Sequence, residues 1–416
     1  GVKFNVKILW RFFTTYRGQM LPKFAQSPTN DDFVQNPYPF YENCLAEGGK
    51  IFWDDYNMVS FFKHDDVSSI LKDRRFGREC PEDKKQGFSK ELAPFYKLEE
   101  NSMLQLEPPK HTRLRGLVLR AFTSRKINSM TDEIKFLCDQ LMQNFSSSRV
   151  NILNEYASKI PVIIIARLLG VPEEMSDKLL TWSNDMVMMY QARRTQEHEK
   201  RAIKASNEFS VFMRNYVEDR RDKPEDDLIT HLILAEEDGE KLTTDELITT
   251  CILLLNAGHE ATVHSLGNGV KILLENKNFK INWHNATKVN QLVEEILRFD
   301  PPLHIFTRYA YEQIDLGDYT VKKGEEIALV LGATGRDKAV WSHPQYFDPN
   351  RTIKKNTAFG GGIHFCVGAA LARLEMQIAL PMLFTRYPKM QLAEKPRYAD
   401  VYHFHGLEKL YVKLEG

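Results

Sequence analysis

The sequence predicts a mainly α-helical chain with a small β portion, and three observations carry that reading. Helical periodicity dominates from His111 to about Leu297. The longest pattern opens at Thr243, where Thr243-Thr-Asp-Glu246 reads as a capping box ahead of LITTCILLLNAGHEATVHSLGNGVKILLEN. Lys50 to Lys63 and Arg308 to Leu331 instead alternate as strands do, the second with turn signals at Gly317-Asp318 and Lys323-Gly324.

In chain order, VKFNVKILWRFFTTYRG is mildly amphipathic, and Arg11 interrupts its apolar run. That run is far short of the ~20 residues that span a bilayer. With no small-residue cleavage site behind it, the stretch is expected to pack on the body of the protein rather than act as a signal peptide. Residues from about 35 to 65 are expected to be β-rich, and HDDVSSILKD from His64 reads as a short capped helix at the start of a helical portion from about 66 to 300. A helix of about 30 residues from Thr243 spans ~45 Å. It is apolar on most faces and belongs in a core. Further β structure is expected at about 308–331 and 400–416, the latter a strand pair around His403 to Leu414, with a helix at about 366–386 between them. Apart from the polar loop Arg220 to Asp227, nothing resembling a linker, repeat or low-complexity tract interrupts the chain, so residues 1–416 are read as one domain.

Bulk composition narrows the function classes. Apolar content of 43% and charged content of 27% are ordinary for a globular protein, and the formal net charge of zero gives no electrostatic case for nucleic acid or an anionic membrane. Five scattered cysteines without a CxxC pair suggest neither a disulfide framework nor a four-Cys zinc site, and fit a reducing, cytoplasmic setting.

Chemistry concentrates in four segments. Phe359 to Gly368 reads FGGGIHFCVG, one cysteine in a glycine-rich loop with His364 two residues before it. The apolar segment behind it, if helical, surrounds the Cys366 sulfur with free N–H groups and a positive dipole end. That lowers the thiol pKa and favours the metal-binding thiolate. Gly360, Gly361, Gly362 and Gly368 remove side chains beside the sulfur, so a large flat ligand can approach. The competing reading is a buried, inert thiol. In mid-helix, Ala257-Gly258-His259-Glu260-Ala261-Thr262 combines small residues with an acid. Glycine there costs up to ~1 kcal/mol, so Ala257 and Gly258 mark either a notch for a planar ligand or a helix crossing. Glu260 is either a proton carrier or a solvated side chain. Glu295 and Arg298 stand at i, i+3 in a helix ended by Pro301-Pro302. After Pro108-Pro109, His111 and Arg115 share one helical face. They suit two propionates or phosphates, or form a solvated basic face.

In order and separation these segments resemble the cytochromes P450. NPYPFYENC from Asn36 and HPQYFDPNR from His343 look like soluble bacterial-type members. The resemblance implies a triangular helical prism holding haem b (iron-protoporphyrin IX) between the long distal helix and the cysteine loop. Cys366 becomes the axial iron ligand, with Phe359, Gly362, Gly368, Ala257 and Gly258 against the cofactor. His111, Arg115, Arg308 and His364 become the propionate contacts, and Glu295 and Arg298 a structural pair tied to Arg351 or to Arg336. Glu260 and Thr262 become the implied catalytic proton carriers. Ala261 replaces the usual threonine that guides protons to oxygen, and Glu260-Ala261 does not match the Arg-Pro pair of the family's peroxygenases.

The implied reaction inserts one oxygen atom of O2 into a small or medium apolar organic substrate. Electrons come from a separate ferredoxin or flavodoxin, because the chain has no flavin, nicotinamide or iron–sulfur motif of its own. Ala261 keeps a non-oxygenating haem-thiolate isomerase or dehydratase, or a haem-based binding protein, as the alternative. Leu254, Leu303, Ile305, Phe306 and Phe404, with Thr307 and His403 beside them, are candidate pocket walls. Met186, Met188, Met189 and Tyr190 form either an adaptable roof or ordinary helix core.

Overall fold

A computed structural model describes residues 12–16, 18–85, 87–190, 194–235, 239–400 and 404–415. The chain is mainly helical with small sheets. The long helix runs Thr244–Glu275 over 32 residues. Thr243 Oγ1 accepts from the Glu246 amide at 3.2 Å and Glu246 Oε2 from the Thr243 amide at 2.9 Å, so the capping box forms as its spacing predicts. Neighbours cover this helix on several sides: Lys159–Leu169, Gln196–Asp222 and Ala369–Arg386 all pack on it. Lys159–Leu169 is almost wholly buried, as its Ile-Val-Leu composition requires, and stops at Gly170, whose φ of 83° is left-handed. Among the described residues no helix is long and apolar enough to cross a membrane.

A sheet of seven strands runs in the order Phe12–Tyr16, Gln19–Phe24, Lys50–Trp53, Met58–Phe61, Glu326–Leu329, Phe306–Ala310 and Phe76–Gly77. Glu326–Leu329 lies parallel to Met58–Phe61 and antiparallel to Phe306–Ala310, with Leu329 opposite Phe306. Aromatic rings fill the space beside the sheet, Phe40 lying 4.9 Å from Trp53 and 6.2 Å from Phe62. The sheet holds Phe306 and Thr307 in place, and these reappear below in a cavity wall.

Several expectations need correcting. Residues 35–46 are not β: Asp31–Gln35 and Tyr38–Ala46 are helices. Proline in the first turn starts the second of these, and Phe40, Tyr41 and Cys44 bury one face of it. The amphipathic N-terminal stretch contains a strand, Phe12–Tyr16, hairpinned onto Gln19–Phe24; residues 1–11 lie outside the described set. His64–Lys72 forms without a side-chain cap, Asp65 and Asp66 instead complementing the dipole. Leu407–Lys409 and Tyr411–Lys413 do not pair with each other. The first joins Arg397–Tyr398, the second Gln391–Leu392 and Arg149–Asn151. The helix behind the cysteine begins at Ala369, because residues 366–369 first close a turn, Ala369 N donating to Cys366 O at 3.4 Å.

Candidate active site

A cavity of about 1030 Å³ lies between the long helix, the cysteine loop and the edge of the sheet. Cys366 opens onto it, and the Cys366 amide donates to Phe359 O at 3.0 Å, which closes the loop. Gly360 and Gly362 take φ of 70° and 66°, conformations that favour glycine. A side chain on Gly362 would also meet Leu71 O at 2.2 Å. That contact corrects one expectation: Gly362 does not line the cavity but lets the loop press on the end of His64–Lys72. Gly368 does line it, and a Cβ there would lie 3.9 Å from the sulfur.

The surroundings of the thiol pull in opposite directions. Burial pushes Cys366 above its ordinary range. The Gly368 and Ala369 amides and the Arg115 and Arg373 guanidinia pull it down without overcoming that.

Lys110–Ala121 brings His111 and Arg115 to the cavity from one helical face. Arg115 donates to Phe365 O at 2.7 Å and so ties this helix to the cysteine loop. The His111 and His364 rings lie 4.5 Å apart, and His111 Nδ1 is buried without a partner. Burial lowers both imidazoles, His111 to about 4, so near neutral pH His111 is a neutral hydrogen-bonding group. His364 Nε2 lies 2.8 Å from Glu107 Oε1. Burial raises the Glu107 carboxyl, but His364 and the Arg78 amide outweigh that and hold it below its ordinary value. Arg308 is the second misplacement. It does not line the cavity; its guanidinium is buried beside Phe306 and donates to Thr307 O at 2.8 Å. Burial lowers its pKa to about 9.

On the long helix, Leu254, Ala257, Gly258, Glu260, Ala261 and Thr262 all reach the cavity. Gly258 serves a crossing as well: a Cβ there would lie 3.1 Å from Ile165. Glu260 is not merely solvated. Its carboxylate lies 3.3 Å from His259 Nε2 and 3.5 Å from His264 Nε2. Burial opposes its charge, but the two imidazoles hold it well below the usual carboxylate range. Leu303, Ile305, Phe306, Thr307 and Phe404 line the cavity, Leu303 and Phe404 through a β-bridge; His403 lies outside the described residues. Met186, Met188 and Tyr190 face the cavity, whereas Met189 does not line it and is buried.

Behind the cysteine loop, Glu295 and Arg298 are buried and joined by two bonds of 2.7 Å. Arg351, not Arg336, completes this group, its Nε donating to Glu295 Oε2 at 3.0 Å. Arg336 instead stacks on Tyr38 at 3.8 Å. Arg298 also donates to the carbonyls of Gly335, Pro344 and Tyr346.

Sequence reasoning missed Arg78, Glu99 and Asn256, which line the cavity too. Arg78 and Glu99 belong to segments with no motif of their own. Asn256 sits directly before the Ala257-Gly258 notch, the one signal that could have drawn attention to it.

The donor set suits a haem: a thiol in a turn ahead of a helix, small residues on the long helix, and histidine and arginine donors at the edge. Comparison with known proteins agrees. The family model described as Cytochrome P450 matches residues 35–286 and 284–397. The polyketide biosynthesis cytochrome P450 PksS of Bacillus subtilis is 34% identical, covering 95% of this chain and all of its own (100%). The vitamin D(3) 25-hydroxylase of Pseudonocardia autotrophica is also 34% identical, over 87% of this chain and 89% of its own. The crystal structure of P450BioI with hexadec-9Z-enoic acid ligated acyl carrier protein superposes with a TM-score of 0.87 at 30% identity, covering 92% of this chain and 99% of that one.

Proposed function

The chain belongs to the cytochrome P450 family of haem-thiolate monooxygenases, and on that footing we propose that it inserts one oxygen atom of O2 into a small or medium organic substrate with an apolar body. The haem, once bound, supplies the activation of O2 and the transfer of one oxygen atom. Cys366 would hold the haem iron through its sulfur, and the Gly368 and Ala369 amides would temper the charge on that sulfur. His111, Arg115 and His364 would hold the propionates, while Arg308 would add positive charge from behind the Phe306 wall. Phe359 and Gly368 shape the cysteine side; Ala257, Gly258 and Ala261 keep the long helix low. Glu295 and Arg298, with Arg351, fix the segment that leads into the loop.

On the long helix, Glu260 stays ionised between His259 and His264. There it faces the cavity as a fixed negative charge beside the oxygen site. Thr262 supplies a hydroxyl one residue on from Ala261, which has none. Leu254, Leu303, Ile305, Phe306 and Phe404 exclude water from the substrate. The proposed cofactor is haem b, and the electron donor a separate ferredoxin or flavodoxin. The proposed compartment is the cytoplasm, in keeping with five free cysteines.

One observation carries this reading: Cys366 opens onto the same cavity as Ala257 to Thr262. The purified protein is expected to show the strongly red-shifted ferrous–CO Soret band of thiolate ligation, and Cys366→Ser to abolish it. A wild type without that band, or a Cys366→Ser variant that keeps it, would sink the assignment.

A further inference from the structure

Arg78 is a cavity residue that the reading above leaves without a task. It follows the short strand Phe76–Gly77, and its amide donates to Glu107 Oε1 at 2.7 Å. Its guanidinium lies over the Phe306 ring at 5.7 Å. Among the described residues, none accepts a hydrogen bond from that guanidinium or forms an ion pair with it. An arginine presents five N–H donors in a fixed fork, and a half-buried fork without acceptors, set in a cavity wall, is a receptor for a planar anion.

The fork stands between the roof and the cysteine-loop edge: Tyr190 and Glu99 lie on the roof side, and the ionised Glu107, His364 and Arg308 on the other, Arg308 facing the same Phe306 ring. Tyr190 donates to Glu99 Oε1 at 2.8 Å, which joins helix Ala93–Glu99 to the end of the Met186–Tyr190 segment. Burial pushes Glu99 up to about 7, so near neutral pH it gives Arg78 only a fraction of a counter-charge. Leu98, Met186 and Ile305 provide apolar lining of the same cavity.

We propose that Arg78 receives the carboxylate of an organic acid whose apolar body extends from the roof towards Cys366. The proposal rests on the cavity being the substrate chamber of the monooxygenase, and it names the substrate class: amphiphilic carboxylic acids, paired bidentately with the guanidinium.

The test uses the holoenzyme and a panel of carboxylic acids with straight-chain and fused-ring bodies, each matched with its methyl ester and primary alcohol. Affinity is read by calorimetry and by the Soret shift. At least one acid should bind at least tenfold tighter than its ester and alcohol. Arg78→Gln should erase that preference while the melting temperature holds, and Arg78→Lys should keep part of it. Three results overturn the proposal: no acid of the panel binding better than its neutral partners, a preference that survives Arg78→Gln, or an Arg78→Gln variant that loses haem faster while still preferring acids. The last would give the guanidinium to a haem propionate. A failure of the haem-thiolate reading shows separately, as a missing ferrous–CO band, and the calorimetric acid preference does not depend on it.

Discussion

Two regions of the molecule follow opposite rules. In the Glu295–Arg298 cluster behind the cysteine loop, each charge is answered. Glu295 accepts from Arg298 twice, from Arg351 and from the Asp348 amide, and Arg298 spends its other donors on three backbone carbonyls. On the roof and the long helix, polar groups are left over. The Arg78 fork has no acceptor among the described residues, and Asn256 Oδ1 and His264 Nδ1 are buried without hydrogen-bond partners. A saturated network fixes one geometry, because any displacement breaks several bonds at once. An unsaturated one has capacity for a molecule from outside. On the proposed function, the difference separates the residues that hold the fold from those that would read the substrate.

The largest expected effect tests the saturated cluster. Arg298→Ala leaves the Glu295 carboxylate buried against a single remaining guanidinium, and losing one partner of a buried pair costs about 3–5 kcal/mol. The variant is expected to purify as apoprotein or aggregate. Stable, haem-loaded protein with normal turnover would break the comparison on this side.

An intermediate effect is expected at the edge. Single replacements of His111, Arg115, Arg308 or His364 should speed haem transfer to apomyoglobin without unfolding the chain. If haem loss is unchanged in all four, these residues face something other than propionates.

The smallest effect belongs to the long helix and sharpens the contrast. Ala261→Thr should improve coupling for purely apolar substrates, with less reducing equivalent diverted to hydrogen peroxide. It should add little for a substrate with its own carboxylate or hydroxyl in reach. Thr262→Ala is the control: strong uncoupling there, with no change from Ala261→Thr, would mean that Thr262 alone relays the proton.

What the sequence made legible follows the same division. The cysteine loop and the Glu295–Arg298 pair were readable because their partners are close in the chain, within Phe359 to Gly368 or three residues apart on one helix. The helical content and the capping box at Thr243 were local for the same reason. Arg78, Glu99 and Tyr190 meet only through tertiary structure, across 112 positions between the first and the last, and none carries a spacing signal. The histidines beside Glu260 were in view, but nothing in a linear pattern tells that a carboxylate sits between them. Residues 35–46 misled for another reason. Their aromatic content favours strands, whereas Pro37 and Pro39 start a helix whose rings are buried against Trp53 and Phe33. Gly362 misled because its lack of a side chain serves a backbone contact with Leu71 rather than a ligand.

The bond from Arg351 to Glu295 closes a loop across 56 positions of chain. The entropy of such a closure grows only with the logarithm of its length, about 0.6 kcal/mol for each doubling. The span inside the clamp contains both the wall Leu303 to Thr307 and an exposed turn at Gly317, where a side chain would meet nothing within 4 Å. Residues can therefore be inserted beside that turn for a small fraction of the stability the clamp supplies, provided Gly317, whose φ of 91° favours glycine, is kept. Evolution, or an engineer, can lengthen this part of the chain while the cysteine stays where it is.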